Sequence, residues 1–149
     1  MGIVKEQVTI KAPKGFVFTY LEDISNRERI MTSAFGAFRL VSPQSKGMGA
    51  KVSFGVKALK NVPSELEIGR VLWPRSIEEN GKIGERTFKT IYKFEDTATG
   101  DTLLTVNHEF EEREGLGKFL PGDQVKSVVT GAYQKMLATL TATMQAHIH

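Results

Sequence analysis

The chain opens with alternating apolar and polar residues. Val4, Val8 and Ile10 lie on one side of this alternation, with polar residues between them at positions 5, 7, 9 and 11. A two-residue period is typical of a strand with one buried face, so the pattern predicts a first strand over residues 3 to 11. Pro13 follows and ends this strand, because proline has no backbone N–H to donate to a sheet.

Two short helices are predicted directly after this strand. Apolar side chains recur at helical spacing over residues 16 to 21. Asp23 and Ser25 are suitable N-cap residues for a second helix, which runs through residues 29 to 31. The chain is therefore expected to make a helical elbow before the sheet resumes.

From residue 35 to residue 110 the chain repeats strand-like segments divided by turn residues. Asn61-Val62-Pro63, Trp73-Pro74 and Asn80-Gly81 are among the predicted breaks. Consecutive strands with short links form antiparallel meanders, so the first strand is expected to join an edge of this sheet. The predicted strands cover residues 37 to 42, 49 to 59, 63 to 72, 75 to 80, 85 to 95 and 102 to 111.

The last part of the chain changes to a period of three to four residues. This period predicts a long amphipathic helix over about residues 123 to 146, with Asp123 as its N-cap. The apolar stripe consists of Val125, Val128, Val129, Ala132, Met136, Leu137, Leu140 and Met144. A helix of this length needs a sheet against which to bury that stripe.

The hairpin between the last two strands has a preferred register. A slip of one residue would bury Asn107 and Glu109, which costs kilocalories of free energy. In the preferred register every inward position except Thr90 and His108 is apolar or aromatic. The pairs are Phe94 with Leu104, Tyr92 with Val106, Thr90 with His108, and Phe88 with Phe110.

Alternation in the earlier strands completes the expected inner face. It turns Val52, Phe54, Val56 and Ala58 inward from one strand, and Ser64, Leu66, Ile68, Arg70 and Leu72 from the next. Glu6 joins this face if the first strand keeps its apolar phase. A bulge near Gly69 would instead place Arg70 in water and Val71 inside, and the sequence alone leaves both arrangements open.

Composition is that of an ordinary globular protein. Apolar residues make up 40% and charged residues 25% of the 149 positions, a length and balance typical of a single domain. The 20 basic and 17 acidic residues are scattered, which argues against a nucleic-acid surface. Cysteine is absent, and we find neither a signal peptide nor a stretch long enough to span a membrane. We therefore expect a cytoplasmic protein without stable membrane insertion.

Several short motifs match a known superfamily. Val8-Thr9-Ile10-Lys11-Ala12-Pro13 resembles the opening "I-x-A-P" strand of the START-related (SRPBCC) superfamily, and Val71-Leu72-Trp73-Pro74-Arg75 resembles its "W-x-P" stretch. The segment Thr102-Leu103-Leu104-Thr105-Val106 is similar to its penultimate element. The similarity covers essentially the whole chain, 1–149, and is greatest to the polyketide cyclase/dehydratase and lipid-transport subgroup.

This resemblance implies a fold and a type of function. The fold is an α+β helix-grip domain, in which a curved seven-stranded antiparallel sheet wraps around the long C-terminal helix. Its members bind lipids, sterols, plant hormones or polyketides in the cavity between sheet and helix, and some are cyclases or aromatases. The resemblance thus implies that a small hydrophobic molecule is the partner of this chain.

The predicted ligand contacts combine the inner face with the polar groups that it carries. His108 is a candidate base or ligand contact, and the alternative is a buried histidine that Thr90 satisfies. Tyr92 and Arg70 are the other catalytic candidates, and Tyr133 is either a cavity hydroxyl or a packing residue. The full predicted set is Glu6, Phe54, Val56, Leu66, Ile68, Arg70, Phe88, Thr90, Tyr92, Leu104, Val106, His108, Val129, Tyr133 and Met136.

Three functions remain open from the sequence. The leading hypothesis is carriage of a hydrophobic ligand, and the second is a cyclase- or dehydratase-type enzyme that uses His108, Tyr92 and Arg70. The third is a partner-binding domain without a ligand. No His/Asp/Glu cluster has metal-ligand spacing, and His147 and His149 stand at the end of the helix, so we predict neither metal nor cofactor. Residues 112 to 121 are either a gate to the cavity or a plain connector.

Overall fold

A computed structural model describes residues 2–31, 35–57, 62–111 and 122–148, with the side chains of the last segment described from Lys126 to Ala146. The described strands alternate with short links and are followed by one long helix. In chain order the elements are β1 (Gly2–Ile10), α1 (Lys14–Glu22), a 3-10 helix (Ile24–Asn26), α2 (Arg27–Ile30), β2 (Phe35–Leu40), β3 (Lys51–Val56), β4 (Val62–Leu72), β5 (Ser76–Ile83), β6 (Arg86–Asp96), β7 (Thr102–Phe110) and α3 (Gly122–Ile148).

The sheet has the predicted meander topology. Its strands are antiparallel and lie in the order β1-β7-β6-β5-β4-β3-β2, so that β1 forms one edge beside β7. Helix α3 packs against β1 and α2 and buries Met136, Leu140 and Met144 of its apolar stripe. This arrangement is the predicted helix-grip fold.

Strand pairing confirms the predicted hairpin register and extends it across the sheet. Thr90 lies opposite His108, and Tyr92 lies opposite Val106. Because paired residues share a face, the inner face consists of transverse rows. The first row is Leu66, Gly81, Phe88, Phe110 and Gly2; the second is Ile68, Glu79, Thr90, His108 and Val4; the third is Val71, Ile77, Tyr92, Val106 and Glu6.

A bulge in β4 corrects the expected inward direction of Arg70 and Leu72. Ile68 pairs with Glu79, whereas Arg70 pairs with the next residue of β5, Glu78, so that Gly69 is the extra residue. The bulge reverses the alternation beyond it. Arg70 and Leu72 are therefore exposed, and Val71 packs against the core.

The predicted turn at Asn80-Gly81 is also wrong. Strand β5 continues through both residues to Ile83, and the hairpin instead turns at Gly84, whose φ is +62°. Gly81 is needed for a different reason. A Cβ at Gly81 would overlap the Glu65 carbonyl oxygen and the tip of the Phe88 ring, so this glycine gives the ring the space to lie against the sheet.

Some expectations fall outside the described part of the chain. These are the inward direction of Ala58, the gate at residues 112 to 121, the side-chain cap of Asp123, the side chain of His147, and His149. The helix itself begins at Gly122, one residue before the predicted cap.

The role of Gly81 can be tested by two alanine substitutions. Gly81→Ala should lower the free energy of unfolding by about 1 to 3 kcal/mol, because the new methyl group would overpack a site walled by backbone. Gly131→Ala on helix α3 is the matched control, since no described atom beyond the neighbouring residues and the adjacent backbone of its own helix lies within 4 Å of the added carbon. It should raise stability by up to about 1 kcal/mol through helix propensity. Equal effects in urea unfolding would contradict this role for Gly81.

Candidate functional site

A cavity lies between the sheet and helix α3. It has a volume of about 60 Å³. Most of the side chains around it are aliphatic or aromatic, and they come from β2 to β7, from the end of α2 and from the first half of α3. They are Met31, Phe35, Phe54, Val56, Leu66, Glu79, Ile83, Arg86, Thr87, Phe88, Tyr92, His108, Phe110, Val128, Val129, Ala132 and Tyr133.

Polar side chains enter this interior from one transverse row of the sheet. Glu79, Thr90 and His108 stand side by side on β5, β6 and β7, and we call them the polar row. Ile68 and Val4 continue the same row on the neighbouring strands. Each of the three polar side chains is at most 3% exposed, so each needs a partner inside the protein or in the cavity.

His108 is held from one edge of its ring. Its Nδ1 lies 2.7 Å from the Thr90 hydroxyl and 2.9 Å from the Tyr133 hydroxyl, and these two oxygens lie 3.1 Å apart. Phe88 packs on the imidazole with ring centroids 5.0 Å apart. The other ring nitrogen, Nε2, is buried and has no hydrogen-bond partner among the described residues. The ring therefore brings one unsatisfied polar atom to a cavity that is otherwise mainly apolar.

The electrostatic state of His108 follows from its burial. Desolvation lowers the pKa of His108 from 6.5 to about 4, because the apolar surroundings disfavour the imidazolium. The imidazole is therefore neutral at neutral pH, with a hydrogen on only one of its two nitrogens.

Arg27 and Glu79 form a buried ion pair beside the cavity. Nη1 of Arg27 donates to both carboxylate oxygens of Glu79, at 2.8 and 2.5 Å, and Nη2 donates to the Leu21 carbonyl at 3.0 Å. The guanidinium also lies over the Tyr92 ring, 5.0 Å from its centroid. Burial alone would lower the pKa of Arg27, but the Glu79 carboxylate raises it. Arg27 is therefore charged at neutral pH, and its contact with Glu79 connects α2 to β5.

Two buried tyrosines adjoin these groups: Tyr92 lies under the Arg27 guanidinium, and Tyr133 is hydrogen-bonded to Thr90 and His108. Burial raises the pKa of both tyrosine hydroxyls, so both remain protonated at neutral pH. The Tyr92 hydroxyl lies 3.9 Å from the Met136 sulfur. Neither tyrosine is therefore suited to act as a base, and both can donate hydrogen bonds.

The structure separates the predicted contact residues into groups. Eight of them line the cavity: Phe54, Val56, Leu66, Phe88, Tyr92, His108, Val129 and Tyr133. Five are buried behind this wall, and of these Thr90 binds His108; they are Ile68, Thr90, Leu104, Val106 and Met136. Glu6 is half-buried and accepts a hydrogen bond from Gln134 of α3 at 3.2 Å. Arg70 lies on the outer side of the bulge, away from the cavity.

Sequence reasoning missed three charged residues of the interior. Glu79 shares a face with Ile77, and the wrong turn at Gly81 concealed this alternation. Arg27 lies on the apolar side of its short helix, three residues from both Ile24 and Ile30. Arg86 is buried at the start of β6 and also lines the cavity. The spacing of Ile24, Arg27 and Ile30 is the signal that could have revealed the buried arginine.

Two further properties concern the described residues alone. No group of three or more His, Asp or Glu side chains in them is placed to hold a metal ion. Of the described helices, none combines the length and the apolar character that crossing a membrane requires.

The fold and the cavity define a protein of the helix-grip class. Solved structures with this fold cover nearly the whole chain at low identity. The protein TTHA0849 from Thermus thermophilus is similar with a TM-score of 0.75 and 13% identity, over 98% of this chain and 99% of the other. A START superfamily protein from Mycobacterium smegmatis matches with a TM-score of 0.71 and 11% identity, over 97% of each chain.

The sequence itself identifies the family. Residues 1–145 match the polyketide cyclase / dehydrase and lipid transport family. The chain belongs to this family, as the resemblance in the sequence implied. No curated protein matches the chain at a significant level.

The buried ion pair generates a stability prediction. Arg27→Met should lower the free energy of unfolding by about 3 to 5 kcal/mol, because it leaves the Glu79 charge buried without a partner. The double variant Arg27→Met/Glu79→Met should recover much of this loss, since neither charge then remains. Urea unfolding of the two single variants and the double variant measures the coupling.

A surface ion pair provides the control for this cycle. Lys51 and Glu65 lie 3.3 Å apart with side chains 36% and 43% exposed. Lys51→Met should cost at most about 1 kcal/mol, because solvent screens the pair. A double variant at 27 and 79 that is no more stable than Arg27→Met would contradict the account of the buried pair.

The pKa of His108 generates a pH prediction. Because its folded-state value of about 4 lies below its unfolded value of 6.5, only the unfolded chain binds a proton between these values. Stability is therefore fully present above pH 6.5 and falls as the pH drops towards 4. His108 should contribute about 2 to 3 kcal/mol to the loss between pH 7 and pH 4.5.

Comparison with His108→Gln isolates this contribution. Both proteins share all other titrating groups, so the difference between their stability curves reports His108. Urea unfolding at several pH values should show a shallower acid decline for the variant. Parallel curves would show that His108 is not held neutral by burial.

Proposed function

We propose that the protein binds a small hydrophobic molecule in the cavity between the sheet and helix α3. One observation carries this proposal: an apolar cavity is lined by His108, whose Nε2 atom is buried and has no partner among the described residues. Ligand sites typically combine such apolar walls with a few polar groups that fix orientation. Membership of a family described by lipid transport and polyketide chemistry supports the same function.

The size of the cavity bears on the type of ligand. A volume of about 60 Å³ accommodates a few water-sized spheres, which is less than a lipid or a polyketide needs. A ligand of that size would therefore require the wall to open further. Phe54, Phe88 and Val129 are wall residues whose movement would enlarge the cavity, and small aromatic molecules are suitable first probes.

Acid-base catalysis by the predicted residues is less well supported. Arg70 lies outside the cavity, so it is not available to stabilise an enolate there. Burial raises the pKa of Tyr92 and lowers that of His108 to about 4, which makes one a poor acid and the other a weak base. If the protein is an enzyme, we propose that His108 acts through a hydrogen bond to the substrate.

A cytoplasmic location accompanies the proposed carrier function. The cysteine-free sequence supports it, because reducing compartments provide no disulfides for stability.

The proposed function can be tested by filling the cavity. Ala132 lines the cavity from helix α3, whereas Ala138 on the same helix is exposed. The wild-type protein should enhance the fluorescence of anilinonaphthalene sulfonate at micromolar concentrations. Ala132→Leu should weaken binding at least about tenfold by occupying the space, and Ala138→Leu should bind like the wild type.

Native mass spectrometry of the purified protein adds an independent measurement. A stoichiometric adduct that is present in the wild type and Ala138→Leu, but absent from Ala132→Leu, would support binding in this cavity. If the wild type carries no adduct and does not bind the probe, or if both leucine variants bind equally, the proposal is wrong.

A further inference from the structure

We propose that His108 is fixed in the tautomer that carries its hydrogen on Nε2, so that the cavity selects ligands with an acceptor oxygen, such as a ketone or ester carbonyl. This inference rests on the proposed binding function and names the chemical class of the ligand. It follows from the number of hydrogens available around Nδ1.

Two hydroxyl groups converge on Nδ1. Thr90 and Tyr133 each supply one hydrogen, and both oxygens lie within 2.9 Å of that nitrogen and 3.1 Å of each other. When Nδ1 carries no hydrogen, its lone pair and the two hydroxyl oxygens provide enough acceptors for both hydroxyl hydrogens. Every donor in this triangle is then satisfied.

In the other tautomer, one hydrogen has no acceptor within the triangle. A hydrogen on Nδ1 brings three donors to the triangle, but only the two hydroxyl oxygens then remain as acceptors. One hydroxyl hydrogen must point elsewhere. The hydrogen bonds that the structure shows for the Tyr133 hydroxyl are those with Thr90 and His108, so the described contacts of Tyr133 supply no third acceptor.

The Nε2–H group then faces the ligand space. The Nδ1 edge of the ring is occupied by hydroxyls, so the opposite edge is the one that the imidazole can offer to the cavity. Nε2 is buried without a partner among the described residues, and a buried donor in this state is costly. A ligand oxygen that accepts from Nε2–H would remove this cost.

Neutrality of the ring favours an uncharged acceptor. Phe88 and Phe110 stack near the imidazole, with centroids 5.0 and 5.9 Å from it, and these apolar rings disfavour a full charge beside them. A neutral imidazole N–H is an established type of group for polarising a carbonyl. A carbonyl oxygen in an otherwise apolar molecule therefore fits this site best.

The tautomer itself is measurable without any ligand. In the ¹⁵N-labelled protein, two-bond correlations distinguish a protonated, pyrrole-type nitrogen from an unprotonated, pyridine-type nitrogen, and the His108→Gln variant assigns the signals. We expect Nε2 to be pyrrole-type and Nδ1 to be pyridine-type at neutral pH. The reverse pattern would overturn the inference, whether or not the cavity binds a ligand.

Ligand selection is measured with two probes of the same shape. Acetophenone and α-methylstyrene differ by the replacement of a carbonyl oxygen with a methylene group. The ratio of the acetophenone affinity to the α-methylstyrene affinity should be about tenfold higher in the wild type than in His108→Phe, because only the ketone oxygen accepts from Nε2–H. Thr90→Val should keep this preference, because the Tyr133 hydroxyl still donates to Nδ1. The double variant Thr90→Val/Tyr133→Phe removes both hydroxyls and should reduce the preference while binding of α-methylstyrene is retained.

The outcomes separate the inference from the function on which it rests. If both probes bind and the ratio of their affinities is the same in the wild type and in His108→Phe, carbonyl selection is overturned and the hydrophobic cavity is left intact. If neither probe binds to the wild type, the proposed function is wrong, and so is the proposed ligand class. The expected tautomer together with a preference for acetophenone would support both.

Discussion

The interior of this protein depends on one ion pair. Arg27 and Glu79 are both almost completely buried, and neither charge could remain there without the other. Their contact joins helix α2 to the middle of the sheet, and the guanidinium also covers Tyr92. Apart from this pair and Arg86, the buried side chains in the described part of the chain are apolar or uncharged, so the wall of the cavity is mainly apolar.

The polar row shows how strand pairing brings together residues that lie far apart in the sequence. Thr90 and His108 are neighbours because β6 and β7 pair in one register, and Tyr133 meets them because α3 crosses that row. No residue of this cluster is near another of its members in the sequence. The imidazole is held by Thr90 of the sheet and by Tyr133 of the helix, and these two contacts fix its orientation.

Much of the fold could be predicted because alternation and helical periodicity are local signals. The β6–β7 register could be predicted because a slip would bury Asn107 and Glu109. The direction of Arg70 stayed open because a bulge depends on how two strands meet, and the sequence of one strand does not contain that information. Glu79 was missed because a charged residue at an inward position becomes plausible only when Arg27 is known to face it, and these partners lie far apart in the chain.

Two glycines of the sheet, which have no side chain, help to keep the cavity open. Phe88 and Phe110 each fill the space that a side chain at the paired glycine, Gly81 or Gly2, would occupy. Both rings therefore rest on the sheet and leave the centre open. A larger residue at either glycine would push an aromatic ring towards helix α3 and reduce the available volume. The volume of the cavity is consequently set in part by two positions behind the wall, which could change it during evolution without altering any residue that lines the cavity.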